Sequence, residues 1–346
     1  MVLLSFKRGI SQVSGTKRFV LFAWFINTLF ALSLAVPLLN QLDGYIGGTV
    51  MEERLLAEMQ ASWFETYQFD FEKSEIARLV DYSIFGYAPF LVHLESALEG
   101  SFLKSIGNVF YALLFRWHLD TSAISLLTLF GFLYLCMNSF LAGGFIGVFA
   151  KEYRISFPEF LMEGGKYFGR FFRLSLLSFL ISYLFFILIV DSLNDGIANW
   201  TRNAASEEVP FRYYMIRGVA VLLTLGVLNM LFDYARIRIV VEERTSVFGA
   251  FLAGARIAFR KFFRAFGLFL LLGFIGLALI ALYALLEARI PQDSFWSLVL
   301  LLLLQQMYII ARIWLKAGFY ACQTNLFREM AKEEHSALVS AATHTN

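Results

Sequence analysis

Six stretches of this chain run without a single Asp, Glu, Lys or Arg: residues 19–42, 121–150, 174–190, 218–232, 265–286 and 294–311. A bilayer core about 30 Å thick takes about 20 helical residues to cross. Four of the stretches meet that length unaided. The third and fourth are short and recruit flanking residues, which for the fourth are Arg217 and Asp233. Hydrocarbon offers no water to backbone N–H and C=O groups, so segments of this kind are helices. The expected fold class is therefore all-α, a polytopic integral membrane protein with six transmembrane helices. Composition agrees: 16% of residues are charged, 59% are apolar, and 39 Phe with 15 Tyr and 6 Trp stand against 5 Pro. That balance excludes an ordinary soluble domain and a disordered chain. The first apolar run is longer than a signal-peptide core and reads as a retained anchor.

Orientation follows from the basic residues. The N-terminal tail, the connections 151–173 and 236–264, and the tail from Arg312 hold 20 of the 29 Lys and Arg. The alternate segments hold 9, against 18 of the 27 acidic residues. The positive-inside rule places the first set, and both termini, in the cytoplasm, in a membrane of the bacterial inner type. A net charge of +2 gives no drive toward nucleic acid. Three parts follow: residues 1–42, a tail with the first helix; 43–120, an outer helical segment; and 121–346, a membrane domain. In the outer segment, 51–67 is acidic and amphipathic. Residues 102–117 surround Phe110, Leu113, Leu114 and Trp117 with Lys104, Arg116 and His118, as in a helix at the outer interface or folded back onto the bundle.

The two inner connections resemble each other at a spacing of 90: Ser156 with Ser246, Gly164 with Gly254, Lys166 with Arg256, Arg170 with Arg260, Phe172 with Phe262. A shift of one residue aligns Phe171-Phe172-Arg173 with Phe262-Phe263-Arg264 instead, so two registers stand. Two basic amphipathic helices can resemble each other by chance; if the correspondence is a repeat, either register implies a parallel internal repeat of about 121–190 and 214–286. Ser156-Phe157-Pro158-Glu159 has the form of a capping box. From there 156–173 and 247–264 are expected to lie flat as interfacial helices, Phe160, Tyr167, Phe171 and their counterparts entering the acyl boundary. Lys166, Arg170 and Arg173, with Arg256, Arg260, Lys261 and Arg264, then sit at head-group depth. They serve as topological anchors or as a site for anionic lipid head groups.

Polar side chains inside the apolar runs carry the remaining information. Asn27, Asn138, Asn229, Gln305 and Gln306 are amides within spans. Interhelical hydrogen bonds account for them. Alternatively, Asn229 and Asp233 line a polar path with Gln305, Gln306 and Arg312. Asp233 and Arg312 are expected to neutralise each other between spans four and six, with Arg236 as a rival partner one helical turn from Asp233. Gly143 and Gly147 form a G-x-x-x-G suited to close helix packing.

No enzymatic constellation emerges. Gly164-Gly165-Lys166 lacks the earlier glycine of a phosphate loop, no G-x-S-x-G occurs, and the four histidines and two cysteines have no metal-ligand spacing. No metal and no cofactor are expected. The units 156–173 and 245–264, with the D-Y-A-R-I-R-I-V-V-E-E run at 233–243, resemble a group of bacterial polytopic proteins. That group includes the membrane domain attached to some glycerophosphoryl diester phosphodiesterases. The resemblance covers roughly residues 121–330 and implies a helical membrane domain without the soluble catalytic barrel. The functional expectation is a non-enzymatic structural or accessory subunit of a membrane complex, with membrane lipids and a protein partner as its contacts. The alternative is a transporter or lateral handler of a lipid or amphiphile.

Overall fold

In a computed structural model, every regular element among the described residues is helical, as the apolar runs require. The structure describes residues 1–50, 66–67, 69–70, 98–100, 103–104, 126–151, 153, 155–291 and 294–344. The elements are α1 (Val2–Ser14), α2 (Lys17–Ile46), α3 (Leu126–Ala150), α4 (Phe157–Phe185), a π turn (Phe186–Val190), α5 (Asp191–Thr201), α6 (Glu208–Val241), α7 (Val247–Arg260), α8 (Phe262–Glu287) and α9 (Phe295–His344). Six helical stretches among them are long and apolar enough to cross a bilayer, one for each charge-free run. Most of the expected outer segment, including Arg116, His118 and the amphipathic stretch 51–65, lies outside the described residues.

The chain divides into two compact units. The first comprises Met1–Leu34, Cys136–Leu174 and Met230–Asn346. Here α1 lies against the C-terminal helix α9 with Ser5, Gly9 and Val13 on its buried face. Gly9 permits the approach: a Cβ there would stand 2.4 Å from Cys322 Sγ and 2.7 Å from the Cys322 backbone. Arg8 pairs with Glu329 at 2.9 Å, Ser5 Oγ donates to the same carboxylate at 3.0 Å, and Asn325 donates to Gln12 Oε1 at 2.8 Å. On α3, Gly143, Gly144 and Gly147 face Gly164, Phe160 and Glu163 of α4. The G-x-x-x-G is thus used within the chain, for crossing two consecutive helices. Phe160 of α4 stacks on Phe19 of α2 with ring centroids 4.6 Å apart, and Phe145 meets Phe160 edge-on at 5.4 Å.

The second unit comprises Ala35–Leu135 and Ser175–Asn229. Its apolar core joins Phe186 and Val190 of the π turn to Val221 of α6, with Leu98 and Leu103 packed alongside. Between those leucines Gly100 takes φ +67°, and a Cβ there would collide with the Phe186 ring. Both demands, a left-handed backbone and no side chain, select glycine. Lys104 closes the corner with an ion pair to Asp191 at 2.6 Å. Arg217 donates to Asn194 Oδ1.

The structure departs from the expected flat helices. Residues 156–173 do not form a separate helix: α4 runs unbroken from Phe157 to Phe185. No Gly or Pro lies between Arg173 and Phe185, and breaking a hydrogen-bonded ladder at the edge of an apolar medium is costly. Phe160, Tyr167 and Phe171 are accordingly buried in protein instead of facing acyl chains. The second connection does break, at Lys261 with φ −116° and ψ 36°, which separates α7 from α8. There Phe248, Leu252, Phe259 and Phe263 are exposed, Phe263 to 89%, while Ala250, Gly254 and Ala258 form the buried stripe. Each connection opens on a serine cap. Ser156 N–H donates to Glu159 Oε2 at 2.6 Å and Glu159 N–H to Ser156 Oγ at 3.4 Å, while Gly249 N–H donates to Ser246 Oγ at 3.3 Å. Gly164 and Gly254, at corresponding places, both face the helix that precedes their own: Phe140 O lies 3.0 Å and Ala235 N 3.1 Å from the respective Cβ positions.

Candidate functional site

The first unit gathers its polar side chains at two places. One is a stripe on α9, where Arg312, Lys316, Tyr320 and Gln323 recur at helical spacing and so share a face. From α6, Asp233 joins this stripe, only 4% exposed. Its Oδ1 accepts from Arg236 Nη1 at 2.9 Å, one turn along the same helix. The expected Asp233–Arg312 pair therefore does not form. A turn of helix brings Arg236 into contact with no rearrangement, whereas Arg312 sits lower on α9 and lays its guanidinium over the Tyr308 ring, 5.7 Å from the centroid. Lys316, one turn along α9 from Arg312, interacts electrostatically with Arg236, Asp233 and Arg312, and donates from Nζ to Asn138 Oδ1 of α3 at 2.8 Å. Tyr320 lies beside Arg236 and Gln323 beside Asp233. Yet the Gln323 amide atoms, the Tyr234 hydroxyl and the Thr324 hydroxyl are buried without a hydrogen-bond partner. Two cations, Arg236 and Lys316, thus face one carboxylate, and sequence reasoning missed Lys316, Tyr320 and Gln323. The signal was the 312, 316, 320, 323 spacing.

The proposed polar path does not converge. Gln306 Oε1 accepts from Trp24 Nε1 of α2 at 2.9 Å, Gln305 faces Tyr283 of α8, and Asn229 is exposed on α6. The two glutamines serve separate helix contacts, the use expected of polar groups in apolar helices.

The basic set is divided in the same way. Lys166 pairs with Glu243 at 2.7 Å and Arg170 donates to the Arg244 carbonyl at 3.3 Å. Lys261 and Arg264 share Glu333 of α9 at 3.0 and 2.9 Å. Arg173 and Arg256 are exposed, and Arg260 has a contact of its own. Two further arginines donate to backbone carbonyls: Arg328 closes α3 at Ala150, its last residue, and Arg18 holds the carbonyl of Ile155 in the connection before α4. Outside the apolar helices, the Lys166 ammonium holds the Glu243 carboxyl below its ordinary value, and the Glu163 carboxylate raises Lys151, whose Nζ it accepts from at 2.7 Å.

The second gathering place is an open cavity of about 620 Å³ where the α1–α2 turn meets the residues that follow α3. Its wall includes Ser11, Thr16, Lys17, Arg18, Lys151 and Tyr153. Among the described residues no three His, Cys, Asp or Glu side chains are placed to hold a metal ion. Compared with protein-family models, curated proteins and solved structures, the chain matches none.

Proposed function

We propose that the chain is a non-enzymatic integral membrane protein of the bacterial inner membrane, with cytoplasmic termini, acting as a structural or accessory subunit of a membrane complex. One observation carries this reading. In the first unit most charged groups at the basic end are engaged in holding helices to each other. Glu329 ties α1 to α9, Glu333 ties α7 and α8 to α9, Glu243 ties α4 to the end of α6, and Arg328 closes α3. What this frame presents outward is apolar: Phe274, Leu277 and Leu285 on α8, Leu302, Leu303 and Met307 on α9. Such faces suit lipid and the helices of a partner. The resemblance of 121–330 to phosphodiesterase membrane domains belongs to the same proposal, as does the parallel repeat, which the paired serine caps and paired glycine crossings support. Isolation from native membranes in mild detergent tests the subunit reading: a stoichiometric companion is expected, and purification alone from every detergent would overturn it.

A second reading, lateral handling of an anionic lipid, draws on Arg173 and Arg256, exposed and without an ion pair among the described residues, and on the exposed Phe248, Leu252, Phe259 and Phe263 near the latter. Lipid scrambling in proteoliposomes decides it; leak equal to protein-free vesicles removes it.

A further inference from the structure

The cavity at the α1–α2 turn carries a charge that no carboxylate among the described residues balances. Of its three cations, Lys151 is matched by Glu163 at 2.7 Å. Arg18 spends one N–H on the Ile155 carbonyl, an uncharged acceptor, and stacks its guanidinium on Phe19, 4.8 Å from the ring centroid. Lys17 is exposed, and neither it nor Arg18 pairs with a carboxylate among the described residues. Two positive charges therefore face the same opening.

The donors around it are of the kind that bind oxyanions. Lys17 supplies an ammonium, Arg18 its remaining guanidinium N–H groups, and Ser11 an exposed hydroxyl. Lys17 and Arg18 also begin α2 and stand at the positive end of its dipole; the Phe19 and Val20 N–H groups donate to the Thr16 carbonyl at 3.0 and 3.4 Å, which leaves the Lys17 and Arg18 N–H groups at the opening. The Ser14 and Thr16 hydroxyls already donate to carbonyls of α1 and serve as wall. Phe19, Phe149 and Tyr153 give the cavity an apolar side. In sequence it stands where two apolar helices begin and end, after Thr16 and after Ala150, the depth at which lipid phosphates lie.

We propose that this cavity binds a phosphate group, delivered by the head group of an anionic phospholipid or by free phosphate. The proposal is independent of whether the chain has a protein partner, and it uses different residues from the lipid-handling reading. A monoester phosphate fits best, because its charge at neutral pH approaches that of Lys17 and Arg18, the two cations without a carboxylate partner among the described residues, and its three terminal oxygens accept from a fork and an ammonium at once.

The test uses the full-length protein in neutral detergent, with thermal protection and native mass spectrometry as readouts. The probes are phosphatidic acid, phosphatidylcholine and inorganic phosphate, at equal ionic strength. Phosphatidic acid is expected to bind and protect, and Lys17→Gln to weaken it about tenfold, the loss of one charge-assisted contact. Lys17 is exposed and its side chain makes no hydrogen bond or ion pair among the described residues, so this variant keeps the fold. Lys332→Gln, the same charge change at an exposed site on α9, should leave binding as it was. Protection by phosphate equal to that by phosphatidic acid would assign the site to a soluble anion. Equal weakening by Lys17→Gln and Lys332→Gln would show diffuse attraction and overturn the proposal. So would phosphatidic acid and phosphate performing no better than phosphatidylcholine. A companion protein lost or kept in these preparations bears only on the subunit reading.

Discussion

Replacing Gly9 by alanine sets two effects of known sign against each other. Alanine in a helix interior is favoured over glycine by about 0.5–1 kcal/mol. Against this, the new Cβ would stand 2.4 Å from Cys322 Sγ and 2.7 Å from both N and Cα of Cys322. The sulfur has little room to rotate, since Sγ already lies 3.6 Å from the Phe6 carbonyl and Cys322 is fully buried. The backbone of α9 cannot yield locally, so α1 must move off as a unit. Overpacking of this kind costs about 1–3 kcal/mol. With contacts as short as 2.4 Å the cost falls in the upper half of that range, so net of the propensity gain α1 should be loosened by about 1–2 kcal/mol, a factor of about 5–30 in its docking equilibrium. The cysteine that is struck also reports the event. In a Cys136→Ala background, Cys322 is the sole thiol, buried beneath α1, and its reaction with a maleimide in detergent requires α1 to lift. The Gly9→Ala protein should label about 5–30 times faster than its parent under conditions where lifting is at equilibrium. Equal rates, or a raised melting temperature with slower labelling, would show that propensity wins and that the α1–α9 approach is not as close as drawn.

The other predictions concern groups of opposite circumstance. Gly165 of α4 has open space where a Cβ would go, so Gly165→Ala should raise stability by about 0.4–1 kcal/mol in thermal unfolding, and a loss would contradict the exposed placement. Asp233→Asn strands a largely buried Arg236 and should cost about 3–5 kcal/mol; Asp233→Asn with Arg236→Gln should recover part of that, while Arg312→Gln alone should cost about 1 kcal/mol or less. Additive losses for Asp233 and Arg236 would refute the pair. The Glu243 carboxyl, held low by Lys166, contributes stability at neutral pH that is lost as pH falls below the ordinary carboxylate value toward the lower folded value. Melting temperature followed from pH 7 downward should therefore fall less steeply in Glu243→Gln than in the parent, and identical slopes would remove the Lys166–Glu243 contact from the argument.

What the sequence made legible was what a bilayer imposes on any chain. Six charge-free runs became six long apolar helices because no other structure satisfies backbone groups without water. Ser156-Phe157-Pro158-Glu159 became the expected cap because a capping box is a local arrangement of four residues. Partnerships were less legible. Whether Asp233 meets Arg236 or Arg312 depends on the rotation of α9 about its axis, and no local pattern fixes that angle. The same holds for Lys166 and Lys261, which look alike as basic residues near phenylalanines. One meets Glu243 and the other Glu333, 77 and 72 residues away. The unbroken α4 was misread for a related reason: composition marks where a helix prefers the interface, but only the absence of a backbone break decides whether it can turn there.

The glycines show what then holds the frame together. Between apolar helices in lipid, burial of apolar surface gives little net drive, because the chains a helix leaves behind are as apolar as the helix it joins. Association must come from close packing and from polar contacts that lipid cannot replace. The first unit combines the two at the same crossings, between α3 and α4 and also where α1, which is not one of the apolar helices, meets α9. Gly9 admits α9 where Arg8 and Ser5 meet Glu329. Gly147 admits Glu163, which then reaches Lys151. In each case the small residue brings two backbones near enough for a charged side chain to span the gap, and the charge in turn fixes the rotation that keeps the glycine inward. Gly165 and Gly169, with open space at their Cβ positions, have no such neighbour. A crossing glycine and its ion pair should therefore be energetically coupled: Gly147→Ala and Glu163→Gln together should cost less than the sum of the two alone, since displacing the helix already breaks the pair.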